Sequence, residues 1–531
     1  MSVQDTSSTS EAKTPPPSTE DPWYIRSFTR TLIGLGIGGG AAAIFVPLIL
    51  WALFNMNPSN VDHFRLHLLY VSGGIIAILT LLQTSWKNQV DRRKIDADIT
   101  KNKQDAAKNE RDHIRQVHAE RRSRYAKAVE QLADKEATIR LGGIYTLTGL
   151  VDEWLADETA STEERYKEGQ VIINNLCAYI RSPFLLADKK NLFRSEYAEG
   201  PEPDEYEGDF KSDYAKLREE QDVRQSILEE ISSRLGGYSY ANGEKTPYAG
   251  SWSDFGYDFS RATFFYPVYL NHSVINSIIA FNNANFKDFV TFDSTVFAGP
   301  TSFRKSVFND MTDFEGAIFT KTTKFNQSIF KNITNFNKSK FFDSTEFGGA
   351  VFLKIADFNT VEFKKSIEFT GSIFCDQTNF NSTIIRGFAD FESTAFGKPA
   401  EFRAMYFENN ANFSSVSFRD SVDFSGTIFA GSSKFAGIIC EESVNFNSTI
   451  FVNEAPQFTV DSDDTNKAVA HFSHANNPES YSFNVLPNSN ILIETEKVTA
   501  PDGRVFILPK GCLLFDPETQ LVSAFAEDKA E

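Results

Sequence analysis

The side chains of this 531-residue chain best suited to metal or nucleophile chemistry are seven histidines and four cysteines. The histidines are His63, His67, His113, His118, His272, His471 and His474, and only the last two, in the tetrapeptide HFSH, stand at a ligand-like interval. Neither Cys nor carboxylate partners stand at a known metal-site spacing from them, so the pair reads as part of a surface loop. Cys177, Cys375, Cys440 and Cys512 show no metal spacing, are too few to staple a chain of this length, and are compatible with a reducing cytoplasm. Gly34, Gly36, Gly38, Gly39 and Gly40 invite comparison with a nucleotide-binding loop, but no strand precedes them and their neighbours are apolar. With no phosphate loop and no nucleophile elbow, the sequence offers no catalytic, cofactor or metal site.

The elements speak more clearly. From Phe292 onward a first slot recurs every eleven residues, at Phe292, Phe303, Phe314, Phe325, Phe336, Phe347, Phe358, Phe369, Phe380, Phe391 and Phe402, and on to Phe446. A second slot lies five residues later and is Phe throughout except at Ile385 and Cys440, so 28 of 30 slots are Phe. Phe makes up only 50 of 531 residues, so this is a structural repeat. Stepping back to Phe259 gives eighteen repeats, or nine coils at two repeats each.

Eleven residues would return a helix to one face, but two slots five apart lie about 140° from each other on a helix. In a flat strand an odd spacing sends the second ring to the other side of the sheet. A chain that turns a corner between the slots keeps both rings inside. Two residues before each ring stands a small or β-branched residue, such as Thr301, Thr312, Ser306 or Ala317, which lets large and small residues alternate in a narrow core. Stacked strands about 4.8 Å apart make nine coils on the order of 43 Å long.

Stretches such as TDFEGAIF, ADFNTVEF and IEFTGSIF resemble the Phe-centred form of the pentapeptide-repeat proteins. The resemblance implies a mainly β fold with a helical N-terminal part, in which a right-handed quadrilateral β-helix has about four sides per coil. Steps of five and six give 22 residues per coil here, where the family's plain five-residue steps give 20. Residues 124–187, with RYAKAVEQLADKEATIRLGGIYTLTGLVDEW and QVIINNLCAYIRSPF, resemble a helical module preceding the repeats in many bacterial membrane-anchored members. Its expected core stripes are Ile139, Leu141, Ile144, Leu147, Leu150 and Val151, then Val171, Ile172, Leu176, Ala178 and Ile180, packed like a HEAT repeat.

Residues 1–22, rich in Ser, Thr, Pro and Glu, are expected to be disordered. Residues 23–86 are read as a transmembrane helical hairpin with spans at about 32–56 and 66–86. Arg26 and Arg30 before it and Lys87, Arg92, Arg93 and Lys94 after it, against Arg65 in the link, put both termini in the cytoplasm of a multi-pass protein of the cell membrane. Gly34 to Gly38 and Gly36 to Gly40 are GxxxG pairs, open to two readings: a homodimer through the membrane helices, or packing of the two spans within one chain. Residues 87–134 read as a charged helical stalk, 188–254 as an acidic linker and a helix capping the first coil, and 255–452 as the β-helix. Residues 453–531 read as a β-rich cap and acidic tail.

The charge of −18 lies in the flanks: residues 255–452 carry 20 acids against 17 bases, and 453–531 carry 13 against 5. The functional expectation is a membrane-integral scaffold that presents the rod to an unidentified cytoplasmic protein partner, without catalysis or cofactor. The alternative is inhibition of a DNA-binding enzyme by nucleic-acid mimicry, as some family members act. A near-neutral rod does not reproduce the duplex's one negative charge per about 1.7 Å, which argues against it.

Overall fold

Two apolar stretches become helices, in the computed structural model that describes residues 26–193, 206–241, 244–462, 466–486, 489 and 491–522. Helix α1 (Phe28–Phe54) ends at Asn55, which turns left-handed with φ 48° and returns its N–H to the Trp51 carbonyl. Helix α2 (Pro58–Leu132) opens on Pro58, a residue suited to a first helical position because its missing N–H needs no partner. The expected nine-residue link from Asn57 to Arg65 is therefore shorter. Asn55–Asn57 make the turn, and the rest is absorbed into a helix that also takes in the second apolar span and the charged stretch. The chain divides into two compact units, residues 1–117 and 118–531. The expected disordered tail, residues 1–22, lies outside the described residues, as do positions 194–205 of the acidic linker.

In the second unit, α3 (Ala137–Leu155) and α4 (Thr162–Arg181) pack on each other and on α5 (Phe210–Ser232). Ser161 caps α4 by accepting the Glu164 N–H, and Asp209 caps α5 by accepting the Ser212 N–H. The helical core holds Ile144, Leu147, Leu150, Val151, Ile172, Leu176 and Ile180, as the spacing requires. Ile139, Val171 and Ala178, placed in the stripes by periodicity, face solvent instead. Trp154, Ile173 and Cys177 fill the core in their place, because each helix is packed on more than one side and its buried arc is wider than a single stripe. A two-stranded hairpin, β1 (Gly236–Ala241) and β2 (Glu244–Ala249), follows α5 within the stretch expected to be linker and capping helix.

The solenoid runs from Tyr257 to Phe451 in two-residue strands that form four parallel sheets, named here as faces in chain order. The first begins at Tyr257–Asp258, the second at Thr263–Phe264, the third at Val268–Tyr269 and the fourth at Val274–Ile275. Every strand pairs with residues 22 positions away, as Val296 does with Ile318 and Thr301 with Thr323. Two kinds of corner alternate. Between the first and second faces, and between the third and fourth, the residue two after each first-slot ring is left-handed, including Lys305, Gln327 and Ala404. That residue closes a turn in which the next N–H returns to the ring residue's carbonyl, as Thr295 does to Phe292 at 3.0 Å.

The rings stack in columns along the rod. Phe303 lies 5.0 Å above Phe325 with planes 3° apart, and Phe297 lies 4.7 Å from Phe319. First-slot rings from opposite faces meet edge to face across the axis, as Phe325 and Phe336 do at 5.5 Å and 86°. The small slots do more than leave room. Thr295, Ser306, Ser328, Ser372, Thr383 and Thr394 each donate a buried hydroxyl to the first-slot carbonyl 25 positions earlier, Leu270 for Thr295 and a Phe for the others, at 2.5 to 2.9 Å. Each bond ties one coil to the coil before it.

Neither end of the stack is left bare. On the N-terminal edge Gln170 bonds both ways to Gly256, Gln221 donates to the Phe265 carbonyl, and Val274 donates to the Leu235 carbonyl. Gly169 allows this approach, since a Cβ there would lie 2.7 Å from the Phe255 ring. At the other end, where the eleven-residue period breaks, Phe458 stacks on Phe435 and Phe483 on Phe446. His471–Ser473 and Leu513–Phe515 extend the second face, and Tyr481–Ser482 extends the third. Open sheet edges at both ends are thereby covered.

Candidate interaction surface

The interior leaves no space for chemistry. The first-slot rings from Phe292 to Phe402 are all fully buried, and their small-slot neighbours are packed between them. Burial pushes the Cys177 and Cys512 thiols up to about 12 and raises Cys440 as well, which keeps all three protonated and unreactive. Cys375 is exposed. His471 sits half-buried in a strand, where burial lowers its pKa, and among the described residues no group of three potential ligands surrounds it or any other site.

Two polar clusters hold the helical part together. Arg224, buried, donates to Glu220 at 2.7 Å, to the Ile180 carbonyl at 2.7 Å and to the Ser182 carbonyl at 2.9 Å. Its guanidinium lies between the rings of Tyr179 and Phe265, so α4, α5 and the first coil share one charge. Glu220 also accepts from the Tyr179 hydroxyl and faces Arg140 at 3.3 Å. Burial, and after it the Glu220 carboxylate, raise the Tyr179 phenol far above its ordinary value, so it remains a donor. In the second cluster Asp157 meets Arg121, with His118 at 3.3 Å and the Trp154 ring beneath both. Burial alone would raise the Asp157 carboxyl, but hydrogen bonds from Thr159 and Arg121 outweigh it and hold the group well below the carboxylate range. Both clusters join elements of the helical part to one another.

The glycines of α1 divide unequally. Gly39 touches α2, where an added Cβ would lie 2.8 Å from the Ser72 Cβ. Around Gly34, Gly36, Gly38 and Gly40 a Cβ would meet nothing within 4 Å among the described residues. Packing of the two helices within one chain therefore uses Gly39 and Ser72, not the GxxxG pairs to which one of the two sequence readings assigned it.

What varies between coils is the outside. On the corner joining the second and third faces, Phe289, Met311, Ile333 and Ile355 occupy the same position in four successive coils, with Tyr269 and Leu353 beside them. Met311 is 38% exposed, Ile333 41% and Tyr269 52%. These side chains form an apolar ridge, which sequence reading missed because only the 22-residue coil brings residues so far apart into line. Charges on the faces occur in mixed pairs between coils, including Lys324 with Glu346, Lys338 with Glu315 and Arg403 with Asp423. One column is acidic: burial, followed by the neighbouring Glu346 and Asp390, raises the Glu368 carboxyl.

Residues 281–329 match the family model for pentapeptide repeats, with nine copies. No curated protein and no solved structure matches the chain. The matched segment covers more than two coils of a stack whose four faces, 22-residue register and ring columns continue unchanged on both sides of it. The solenoid of this chain is a pentapeptide-repeat β-helix.

Proposed function

We propose that the protein is a membrane-anchored interaction scaffold whose solenoid presents the Phe289–Ile355 ridge to a cytoplasmic protein partner, without catalysis. The observation that carries this reading is the ridge itself. Large apolar side chains aligned and exposed over four coils along one corner of the rod are the kind of surface that protein partners cover. The mixed-sign ion pairs along the rod weigh against nucleic-acid mimicry, which needs a continuous negative surface.

Location comes from the first unit. Helices α1 and α2 are both long and apolar enough to cross a membrane. Basic residues at the outer ends of the two apolar stretches, against Arg65 between them, favour both ends in the cytoplasm. Reporter fusions at residue 110 and at the C-terminus should both be active only with cytoplasmic reporters; activity of a periplasm-only reporter at either point overturns the orientation. The open face at Gly34, Gly36, Gly38 and Gly40 supports self-association of the anchor, since small residues let helix backbones approach closely.

The scaffold reading is tested by affinity capture from solubilised membranes. The full chain is compared with a chain lacking residues 124–184 and with the triple variant Met311→Ser, Ile333→Ser and Ile355→Ser. The expected result is a protein retained by the full chain and lost with the triple variant, whose own stability stays within about 1 kcal/mol of the parent because the changed side chains are surface groups. Equal retention by the triple variant moves the binding surface elsewhere. Turnover of a small molecule, or inhibition of DNA supercoiling by the solenoid, overturns the reading.

A further inference from the structure

We propose that the corner between the fourth and first faces at Lys365, Gly387 and Asn409 is a binding site for a phosphoryl anion. In the wider corners of this solenoid the third residue has an N–H that no strand partner accepts. Two devices recur at these corners. Either the preceding side chain accepts it, as Asp310 does for Met311, Asn332 for Ile333 and Asp343 for Ser344 (2.7, 2.8 and 2.9 Å), or the third residue is proline, as at Pro300 and Pro399. Single corners such as Lys321–Thr322 and Lys354–Ile355 also lack both, and at the corner between the fourth and first faces three successive coils lack them together. Lys365, Gly387 and Asn409 stand at the capping position, and the N–H groups of Ser366, Phe388 and Asn410 donate to no group among the described residues. The Asn409 amide is turned away, donating to the Arg386 carbonyl at 2.6 Å.

These same residues wall a surface concavity of about 490 Å³. Gly387 brings successive coils together there: a Cβ would lie 2.3 Å from the Lys365 carbonyl carbon. Three cations border the concavity. Arg386 is held by Glu362 at 3.2 Å and Glu408 at 3.1 Å, while the Lys364 ammonium lies 4.3 Å above the Phe342 ring and Lys365 has no ion pair among the described residues. Two lysine charges without carboxylate partners thus stand beside three uncapped amides, and outward backbone N–H groups at a turn form anion-binding hollows. The amides recur at the strand spacing of about 4.8 Å. A phosphoryl group, and best a diphosphate, carries enough oxygens to accept from adjacent coils and from a lysine at once; a carboxylate, with two oxygens, reaches one coil.

The test is titration calorimetry on the full chain in detergent micelles at low salt, with inorganic pyrophosphate in one arm and a short-chain phosphatidic acid below its micellar concentration in the other. Saturable binding in either arm supports the site, and the arm that binds more tightly identifies a soluble ester or a lipid headgroup as the source. Lys365→Asp should abolish binding while leaving the unfolding temperature unchanged or higher, because it supplies to Ser366 the cap that Asp343 gives Ser344 one coil earlier. The double variant Lys364→Gln, Lys365→Gln keeps the corner neutral and should weaken binding by about tenfold or more, the scale of one lost charge-assisted hydrogen bond. Absence of saturable binding in both arms, or binding unchanged in these variants, overturns the proposal.

Discussion

Replacing Phe369 with Asp should destabilise the solenoid by more than about 5 kcal/mol, since the loss of a buried aromatic ring, about 3–5 kcal/mol, is joined by a buried charge with no partner. Phe369 is fully buried. Its ring is stacked between Phe347 at 4.9 Å and Phe391 at 5.1 Å, and meets Phe358 and Phe380 edge-on at 5.5 Å. Its carbonyl accepts the Thr394 hydroxyl, so a displaced backbone also loosens the next coil. Because each coil touches only its neighbours, the damage is expected to open the middle of the stack while the ends stay folded. Limited proteolysis should therefore cut between about residues 358 and 391, a window set by the neighbouring coils. Lys354, exposed at a corner, should accept the same change within about 0.5 kcal/mol. Equal losses at the two positions, measured by thermal unfolding, would show that inside and outside have been confused.

The contrast between a ring slot and a spacer position is legible in the eleven-residue period itself, and its physical reason is the narrowness of the coil. A cross-section that admits one ring per side leaves little freedom in residue type, so Phe recurs with few exceptions and the five-plus-six spacing fixes 22 residues per coil. Positions under weaker constraint leave weaker marks. The left-handed turn residues are Lys305, Gln327 and Ala404 as readily as Gly316 or Gly349, because a penalty of roughly 1–2 kcal/mol is absorbed by a stack with so much buried aromatic surface. The hydroxyls of Thr295 or Ser328 looked like space-fillers, since a bond reaching 25 residues back has no local signature. In the helical part, Ile139 and Val171 fitted the period yet point outward, because helices packed on several sides bury an arc that one stripe does not describe. On the surface, the ridge and the uncapped corner became visible only when the coil register aligned Met311 with Ile333 and Lys365 with Gly387.

Arg224→Met should cost about 3–5 kcal/mol, the range for breaking a buried ion pair from one side. Periodicity alone assigns a charged residue in α5 to the solvent face, but Arg224 is buried and spends its donors on Glu220, the Ile180 carbonyl, and both the carbonyl and the hydroxyl of Ser182. Methionine fills much of the volume between Tyr179 and Phe265, so the loss comes from the stranded acceptors more than from a cavity. Arg224→Lys should recover little, because one ammonium cannot reach the Glu220 carboxylate and two separate carbonyls together. Glu220→Gln keeps a hydrogen-bonding group and should be the mildest change, although Arg140 at 3.3 Å then loses its carboxylate. A double-mutant cycle between positions 220 and 224, read by urea unfolding, should give a coupling of at least about 1 kcal/mol, as groups in one network do. Hydrogen exchange locates the effect: α4 and α5 should lose protection first, while the Phe336 to Phe402 coils, which share no contact with this cluster, keep theirs. Wild-type stability in Arg224→Lys, or uniform loss of protection along the rod, would show that the helical cap does not hang on this guanidinium.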